Sequence, residues 1–356
     1  MASRDEAVVR EIIGHLNQAT RVVTQHKQVV IKFTDEVSRY LANVSSGSLT
    51  GAHIRHSGSA YENLEVSSDA DFDLILELGQ PFAGSNLEVT GVRVGSFVHY
   101  KLKARELPKD PSQAIFFRRD GFLKSEELRM DAFTRFHDIL RRVNLPNVSL
   151  QHFRKLSAMQ VNLQSRGQKL ELDVTPQIVA PAWNDCPGLV PMSSLPQCLQ
   201  RYIINNERNR SPVFYFTPAI PEKERVLDWQ VSLMLGFSLL EKHFLQNEVN
   251  IHDMVRLAKL VKDRLDWSKK YGFKSFHLKR LAIKHANTLR PLSTWNGFKT
   301  IIQLLLSYLT NNGVEDCFVQ QHVIYSPQAL KVNFLGELQQ ISLMGPDSVK
   351  SLALRH

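Results

Sequence analysis

The first forty or so residues carry apolar side chains at the spacing of a helix. Between Asp5 and about Val44 the apolar positions recur at steps of three, four or seven residues. They are Val9, Ile13, Leu16, Val23, Val30, Val37 and Leu41. Residues at these steps share one face of an α-helix, so the pattern predicts one long amphipathic helix or two joined end to end. We expect this segment to brace two lobes of the protein.

Residues from about 50 to 180 show the two-residue alternation of strands, interrupted by one helical stretch. The predicted strands cover 72–78, 92–102 and 169–178, and the predicted helix covers 125–142. This combination indicates a mixed β-sheet with a helix packed against it.

A proline-rich stretch divides the chain. Five prolines fall within some twenty residues, at positions 176, 181, 187, 191 and 196. Because proline breaks regular structure, the stretch predicts a crossover between lobes. From about Gln197 onward the pattern is helical, with apolar stripes such as Val231, Leu235, Leu239 and Leu240. The predicted fold class is α+β and bilobed: residues 1–185 form a mixed-sheet lobe that includes the long N-terminal helix, and residues 186–356 form a helical lobe.

One predicted strand carries two carboxylates at its start. In DFDLILEL the alternation puts Asp71 and Asp73 together on one face. The other face is apolar and holds Phe72, Leu74, Leu76 and Leu78. Two carboxylates at a strand end can hold divalent metal ions together with the phosphates of a nucleoside triphosphate. Asp-Phe-Asp by itself is also typical of an ordinary half-exposed strand.

A second strand supplies a candidate third carboxylate. In KLELDVTPQI the acids Glu171 and Asp173 alternate with apolar residues and share one face. Three carboxylates on adjacent strands are typical of sites that hold two metal ions for phosphoryl transfer. We assign Asp173 as the third ligand, and Glu171 is the competing choice.

A Gly-Ser pair supplies the other half of the site. Eleven residues separate Ser59 from Asp71, and Gly58 directly precedes Ser59. A glycine at a tight turn lets backbone N–H groups approach phosphate oxygens, and a serine adds a hydroxyl donor, especially where a helix begins. With the two aspartates, this spacing predicts the active-site core of a nucleotidyltransferase.

These motifs resemble those of the cyclic GMP-AMP synthase-like receptors, a family within the DNA polymerase beta-type nucleotidyltransferases. The resemblance continues through DGFLKSEELRMDAF at 120–133, LELDVTPQI, DWQVSLMLGFSLLEKHF from Asp228, RLAKLVKDRL and FKSFHLKR, and covers most of residues 5–325. It implies a bilobed nucleotidyltransferase that makes a cyclic dinucleotide from ATP and GTP. Members that have lost catalysis typically lack acids at the metal positions, whereas Asp71, Asp73 and Asp173 are all present.

The resemblance also implies cofactors and nucleotide contacts. The expected cofactors are two Mg²⁺ or Mn²⁺ ions. Lys259 and Ser275 match family positions that contact the donor triphosphate, and Phe276 stands where relatives carry a base-stacking tyrosine. Gln230 occupies the position of an arginine that reads guanine in the vertebrate synthase, which leaves the choice of base open.

Cysteine use and hydropathy predict a cytoplasmic protein without zinc. Cys186, Cys198 and Cys317 are widely spaced, as expected for free thiols in a reducing compartment. Where the vertebrate synthase carries a Cys/His zinc ribbon, this chain offers only His243 and His252, too few ligands for a closed zinc site. We expect no signal peptide, no membrane span and no membrane association.

The chain is basic, with 44 Lys and Arg residues against 35 Asp and Glu residues. Residues 255–290 hold eleven Lys or Arg residues but two acidic ones. Basic residues at steps of three and four line helix faces and suit nucleic-acid phosphates, and the alternative is an ordinary solvated helix surface. The predicted contacts are Lys27, Lys32, Arg256, Lys262, Lys269, Lys270, Lys274, Arg280 and Lys284.

We predict that the protein is a nucleotidyltransferase activated by nucleic acid. Relatives without the zinc ribbon resemble sensors of double-stranded RNA more often than of DNA, so the resemblance implies RNA as the activator. The resemblance also implies that the product is a cyclic dinucleotide messenger of innate immunity, and that the protein acts on a downstream receptor only through this product. Two alternatives stay open: an enzyme of the same superfamily with another nucleotide product, and a catalytically silent member that binds nucleic acid or protein.

Overall fold

The N-terminal segment forms one unbroken helix. The structure, a computed structural model, describes residues 4–66, 71–94, 97–155, 158–165, 167–218, 233–311, 313–326 and 331–353. Its first element is α1 (Arg4–Leu41). The predicted apolar face is buried at Val9, Leu16, Val23, Val30, Val37 and Leu41. The prediction of a long amphipathic helix is confirmed, and the helix is single.

The strands of the first two thirds of the chain join in one mixed sheet. They are β1 (His53–Ser57), β2 (Asp71–Leu78), β3 (Leu87–Val94), β4 (Phe97–Ala104), β5 (Val148–Arg154), β6 (Met159–Ser165), β7 (Gln168–Val179), β8 (Tyr215–Pro218) and β9 (Leu233–Gly236). Their order is β1-β2-β7-β8-β9-β4-β3, and the β5–β6 hairpin attaches to β7 through β6. β2 and β7 pair in parallel, and the other pairs are antiparallel.

β7 lies at the centre of this arrangement because it is long enough to pair with two strands along one edge and with a third along the other. Its first half pairs with β6 and its end pairs with β8, while β2 runs along its other edge. Alternate residues of β7 are buried, including Leu172 and Val174. The residues between them therefore line the opposite face of the sheet.

Helices make up most of the remaining structure. They are α2 (Ser59–Glu62), α3 (Pro111–Ala114), α4 (Ser125–Leu140), α5 (Gln197–Arg208), α6 (Ser238–Asn247), α7 (Val249–Arg264), α8 (Trp267–Tyr271), α9 (Ser275–Lys284), α10 (Ala286–Leu289), α11 (Thr294–Thr310), α12 (Lys331–Leu343) and α13 (Pro346–Ala353). A two-stranded ribbon, β10 (Val314–Glu315) and β11 (Val323–Tyr325), follows α11. The mixed sheet, the long N-terminal helix and the helical C-terminal region confirm the predicted fold class.

The helices of the described segments include none that is both long and apolar enough to cross a lipid bilayer.

Two sequence predictions are corrected. The predicted strand at 92–102 covers parts of two antiparallel strands, β3 and β4, and residues 95–96 lie outside the described residues. The helical pattern predicted from Gln197 onward is interrupted by β8 and β9. Short apolar runs such as VFYF and LML have no clear period, so sequence cannot distinguish a buried strand from a buried helix there.

The predicted division at residues 185 and 186 stays a prediction. β8 and β9 come after it in the chain yet lie in the same sheet as the earlier strands. The sheet is therefore completed by residues on both sides of the proline-rich stretch.

Candidate active site

The acids of the two predicted strands lie side by side. In the parallel pair of β2 and β7, Asp73 is the partner of Asp173 and Asp71 is the partner of Glu171. Partnered residues of adjacent strands point to the same side of a sheet, so these four carboxylates form one group, which we call the acidic face. Phe72 points to the opposite side and is fully buried.

Gly58 brings the backbone against one of these acids. Its φ of 79° is in the left-handed region that favours glycine, and α2 begins at the next residue, Ser59. A Cβ atom built on Gly58 would lie 2.0 Å from Oδ2 of Asp73. The Gly-Ser turn and the start of β2 therefore form one compact unit in which position 58 admits no side chain.

We expect Gly58→Ala to lower nucleotidyl transfer by about a hundredfold, because the added methyl group displaces the Asp73 carboxylate and catalytic groups tolerate little misplacement. Steady-state turnover is the measurement. Gly14→Ala is the control, since a Cβ there meets nothing within 4 Å. Full activity in Gly58→Ala would show that Asp73 has room to move without loss of function.

The β2 acids sit in a strongly negative environment. Burial is the main cause that raises the pKa of Asp73, to about 6; Lys279 opposes the rise, and the neighbouring carboxylates of Asp173, Glu62 and Asp71 add to it. The pKa of Asp71 is raised by burial, then by nearby acids, with Lys155 as an opposing charge. Both side chains keep an open side toward solvent. A cation bound here would relieve the repulsion between these carboxylates.

The β7 acids already have cationic partners. Nζ of Lys155 lies 3.0 and 3.2 Å from the two carboxylate oxygens of Asp173. Glu171 accepts hydrogen bonds from Lys169 at 2.5 Å and from Gln160 at 2.9 Å. The Lys169 hydrogen bond is the main cause that lowers the pKa of Glu171. Asp173 and Glu171 both remain candidates for the third carboxylate.

The acidic face fits a magnesium or manganese ion by its chemistry. It offers hard carboxylate oxygens in an open position, and Mg²⁺ prefers one or two such ligands together with substrate phosphates and water. Asp71 and Asp73 would supply that pair. Among the described residues, no group of three or more His, Cys, Asp or Glu side chains is placed to hold a metal ion.

A family model describes the part of the chain that contains the acidic face. The model of the Mab-21 protein nucleotidyltransferase domain matches residues 60–247, more than half of the 356 residues. The chain belongs to the Mab-21 nucleotidyltransferase family. No curated protein matches the chain. The acidic face therefore lies in a nucleotidyltransferase domain, of a family that generally uses Mg²⁺ or Mn²⁺.

Two predicted phosphate contacts, one on each side of the matched residues 60–247, meet at a glutamate that sequence reasoning missed. The Ser59 hydroxyl donates to Oε1 of Glu65 at 2.5 Å, and Nζ of Lys259 lies 3.6 Å from Oε2 of the same residue. Lys259 comes from α7, so Glu65 links the Gly-Ser turn to the helical region. In the sequence, Glu65 is one acid in the segment between Ser59 and Asp71. Glu62 and Asp69 lie in the same segment, so the sequence does not single out Glu65.

Two further predicted contacts, Ser275 and Phe276, lie at the start of α9, a helix that contacts α2. Lys279 reaches from α9 to Glu62 of α2, with Nζ 3.1 and 3.0 Å from the two carboxylate oxygens. Ser275 and Phe276 lie four and three residues before Lys279, at the same side of the helix. Phe276 is 38% exposed, so its ring is accessible for stacking. Gln230, the predicted base-reading residue, lies outside the described residues.

A buried ionic network joins α2 and α6 to α9, a helix that follows the matched residues 60–247 in the chain. Glu241 of α6 pairs with Lys279 and with Arg280, each at 2.6 Å, and Arg280 also pairs with Asp316 at 2.6 Å. Burial opposes the ionisation of Glu241, but the charges of Lys279 and Arg280 outweigh it and lower its pKa to about 2. The sequence reading assigned no role to Glu62, Glu241 or Asp316.

Three of the predicted nucleic-acid contacts are corrected, because the structure buries them. Arg256 is 2% exposed, Lys262 is 4% exposed and Arg280 is 5% exposed. Arg256 donates to Oδ1 of Asn17 and to the backbone oxygen of Glu65, and so ties α7 to α1. Lys262 donates to Ser268. Arg256, Lys262 and Arg280 thus lie on the inner faces of α7 and α9.

The other predicted contacts remain on the surface. Lys32, Lys269, Lys270, Lys274 and Lys284 are exposed. Lys270 pairs with Glu337, and Lys284 pairs with Glu315. Lys27 is half-buried, with Nζ 5.5 Å from the centre of the Tyr61 ring.

Lys242 of α6 is a cation that the sequence reading missed. Its Nζ lies 5.8 Å from the centre of the same Tyr61 ring that Lys27 approaches from α1. Burial, and then the charge of Lys242, lower the pKa of Lys27. Two ammonium groups from distant parts of the chain thus lie close together, an arrangement that suits a phosphate anion.

Proposed function

We propose that this protein is a cytoplasmic nucleotidyltransferase of the cyclic GMP-AMP synthase-like receptor type, which joins ATP and GTP into a cyclic dinucleotide after it binds double-stranded nucleic acid. The observation that carries the proposal is the close approach of Gly58 to Asp73 on the acidic face. It brings the backbone of a phosphate-binding turn next to carboxylates that suit divalent metal ions.

The side chains divide the chemistry between them. Asp71, Asp73 and Asp173 would hold two Mg²⁺ or Mn²⁺ ions, which neutralise the triphosphate and acidify the attacking ribose hydroxyl when bound. Ser59 and the backbone at Gly58 donate to phosphate oxygens. Lys259 adds positive charge near the triphosphate, and its ion pair with Glu65 orients it.

The half-buried lysines at Tyr61 support nucleic acid as the activator. Lys27 and Lys242 converge at Tyr61, directly after the Gly-Ser turn, so a duplex bound there would contact α2 as well as α1 and α6. Lysine ammonium groups that neutralise backbone phosphates bind without regard to base sequence. Proteins that recognise A-form duplexes do so mainly by shape, which favours double-stranded RNA over DNA.

The decisive experiment is incubation of the purified protein with labelled ATP and GTP, Mg²⁺ or Mn²⁺, and a panel of RNA and DNA duplexes. We expect a cyclic dinucleotide, identified by mass spectrometry, with double-stranded RNA and little product without it. Product formation at the same rate without nucleic acid would reject the receptor function and keep the enzyme. Lack of any product under all conditions would leave a binding protein.

The surface lysines should govern binding through their charge on RNA phosphates. We expect Lys269→Glu with Lys274→Glu to weaken RNA binding and activation together, and to lower the slope of log affinity against log salt by about one for each phosphate that the variant no longer neutralises. Lys109→Glu, an exposed lysine outside the predicted surface, is the matched control. Unchanged binding and activation in the double variant would remove this surface from the proposal.

A further inference from the structure

The two strands of the acidic face differ in the cationic partners of their carboxylates. On β7 each acid has a lysine partner: Lys155 lies at Asp173, and Lys169 lies at Glu171. On β2 neither Asp71 nor Asp73 has an ion-pair partner among the described residues, although both face the same group of carboxylates. The two strands thus differ in the ion pairs of their acids: the two β7 carboxylates are paired with lysines, and the two β2 carboxylates are not paired with any described residue.

Lys155 is positioned by the β5–β6 hairpin. It directly follows β5, and its backbone N–H donates to the oxygen of Ala158 at 2.8 Å. From there its side chain extends past the start of β6, where Gln160 is the strand partner of Asp173. Its Nζ lies within hydrogen-bond distance of both Asp173 oxygens, at 3.0 and 3.2 Å. The ammonium group therefore occupies both oxygens that Asp173 would offer a metal ion.

The ion pair between Lys155 and Asp173 is accessible to water. The Lys155 side chain is 43% exposed and the Asp173 side chain 37%, so water can replace either partner. An ion pair this exposed contributes little to stability. Lysine is a point charge on a flexible stem, which a dication can displace more readily than the planar fork of an arginine.

We propose that Lys155 is a resident counter-ion of Asp173, which a divalent metal ion must displace, and that it thereby weakens metal binding to the acidic face until substrate arrives. This inference rests on the proposed function, because it takes the acidic face as the metal site. In the resting protein Asp71 and Asp73 are free to take a metal ion, while Asp173 joins only after its ion pair with Lys155 is broken. The phosphates of a bound nucleotide give the released ammonium group a new partner.

The test is a titration of the full-length protein with Mn²⁺, without nucleotide, followed by electron paramagnetic resonance of the free ion. We expect Lys155→Met to lower the Mn²⁺ dissociation constant by about three- to tenfold, since it removes one competing charge. Lys155→Arg keeps the charge and should bind Mn²⁺ no more tightly than the wild type. Lys169→Met is the matched control: it removes a lysine from the neighbouring acid and should change the constant by less than Lys155→Met does.

The possible outcomes distinguish a failure of the counter-ion role of Lys155 from a failure of the proposed metal site. Asp71→Asn reports the metal site itself, and if it leaves Mn²⁺ binding unchanged, the proposed metal site is wrong. If Asp71→Asn abolishes binding but Lys155→Met leaves it unchanged or weakens it, only the counter-ion role is overturned. A larger gain in Mn²⁺ affinity from Lys169→Met than from Lys155→Met would also overturn the counter-ion role of Lys155. It would indicate that the competing cation is Lys169, at Glu171. Thermal midpoints of all variants verify that each one is folded.

Discussion

Asp73→Asn will abolish nucleotidyl transfer, with a loss of turnover of roughly 10⁴- to 10⁶-fold, the range seen when one member of a concerted catalytic group is removed. The substitution keeps the shape of the side chain and removes its charge from the acidic face. Asp71→Asn should behave in the same way. Turnover is measured with Mg²⁺ and with Mn²⁺ at saturating RNA.

Stability distinguishes this loss from unfolding. Burial raises the pKa of Asp73 to about 6 in the folded protein, above its usual value, so at neutral pH its ionised form opposes folding. The contribution of Asp73 to stability is therefore favourable at low pH and is lost as the pH rises through about 6. At pH 7.5, Asp73→Asn should be at least as stable as the wild type. RNA binding should also be retained, because the surface lysines do not depend on the acidic face.

Companion variants identify the third carboxylate. We expect Asp173→Asn to match Asp73→Asn, and Glu171→Gln to have a mild effect. The reverse result would assign the third position to Glu171. Near-normal turnover in Asp71→Asn or Asp73→Asn would reject the two-metal assignment.

The second large effect is on folding. Arg280→Met should lower the free energy of unfolding by about 3–5 kcal/mol, the cost of removing one partner from a buried ion pair. Arg280 is 5% exposed and pairs with Glu241 and Asp316, and its guanidinium also lies 4.8 and 4.7 Å from the ring centres of Phe237 and Phe318. Without it, Asp316 has no other ion-pair partner among the described residues.

Urea unfolding measures this effect. Lys274→Met removes a nearby charge that is exposed, so we expect it to change the unfolding free energy by less than about 0.5 kcal/mol. An Arg280→Met protein of near-normal stability that had lost RNA binding would show that Arg280 is a surface residue after all. The same network holds Lys279 against Glu62 beside the Gly-Ser turn, so partial unfolding should also impair catalysis.

Several features follow from local sequence because they depend on the geometry of a single element. The two-residue period of a strand places Asp71 and Asp73 on one face whatever the rest of the chain does. Apolar steps of three, four and seven residues define α1, and Gly58 predicts a tight turn because of its conformational freedom. These rules identified the acids, the long helix and the Gly-Ser turn.

The partners of these elements depend on contacts between distant segments. The pairing of Asp73 with Asp173 requires that β2 and β7 lie parallel at one register, which a single strand does not encode. A row of basic residues at helical spacing has the same period whether it faces solvent or the interior. Arg256 and Arg280 lie inside because distant oxygens at Asn17, Glu241 and Asp316 accept hydrogen bonds from their guanidinium groups, and only the folded chain brings those partners within hydrogen-bond distance.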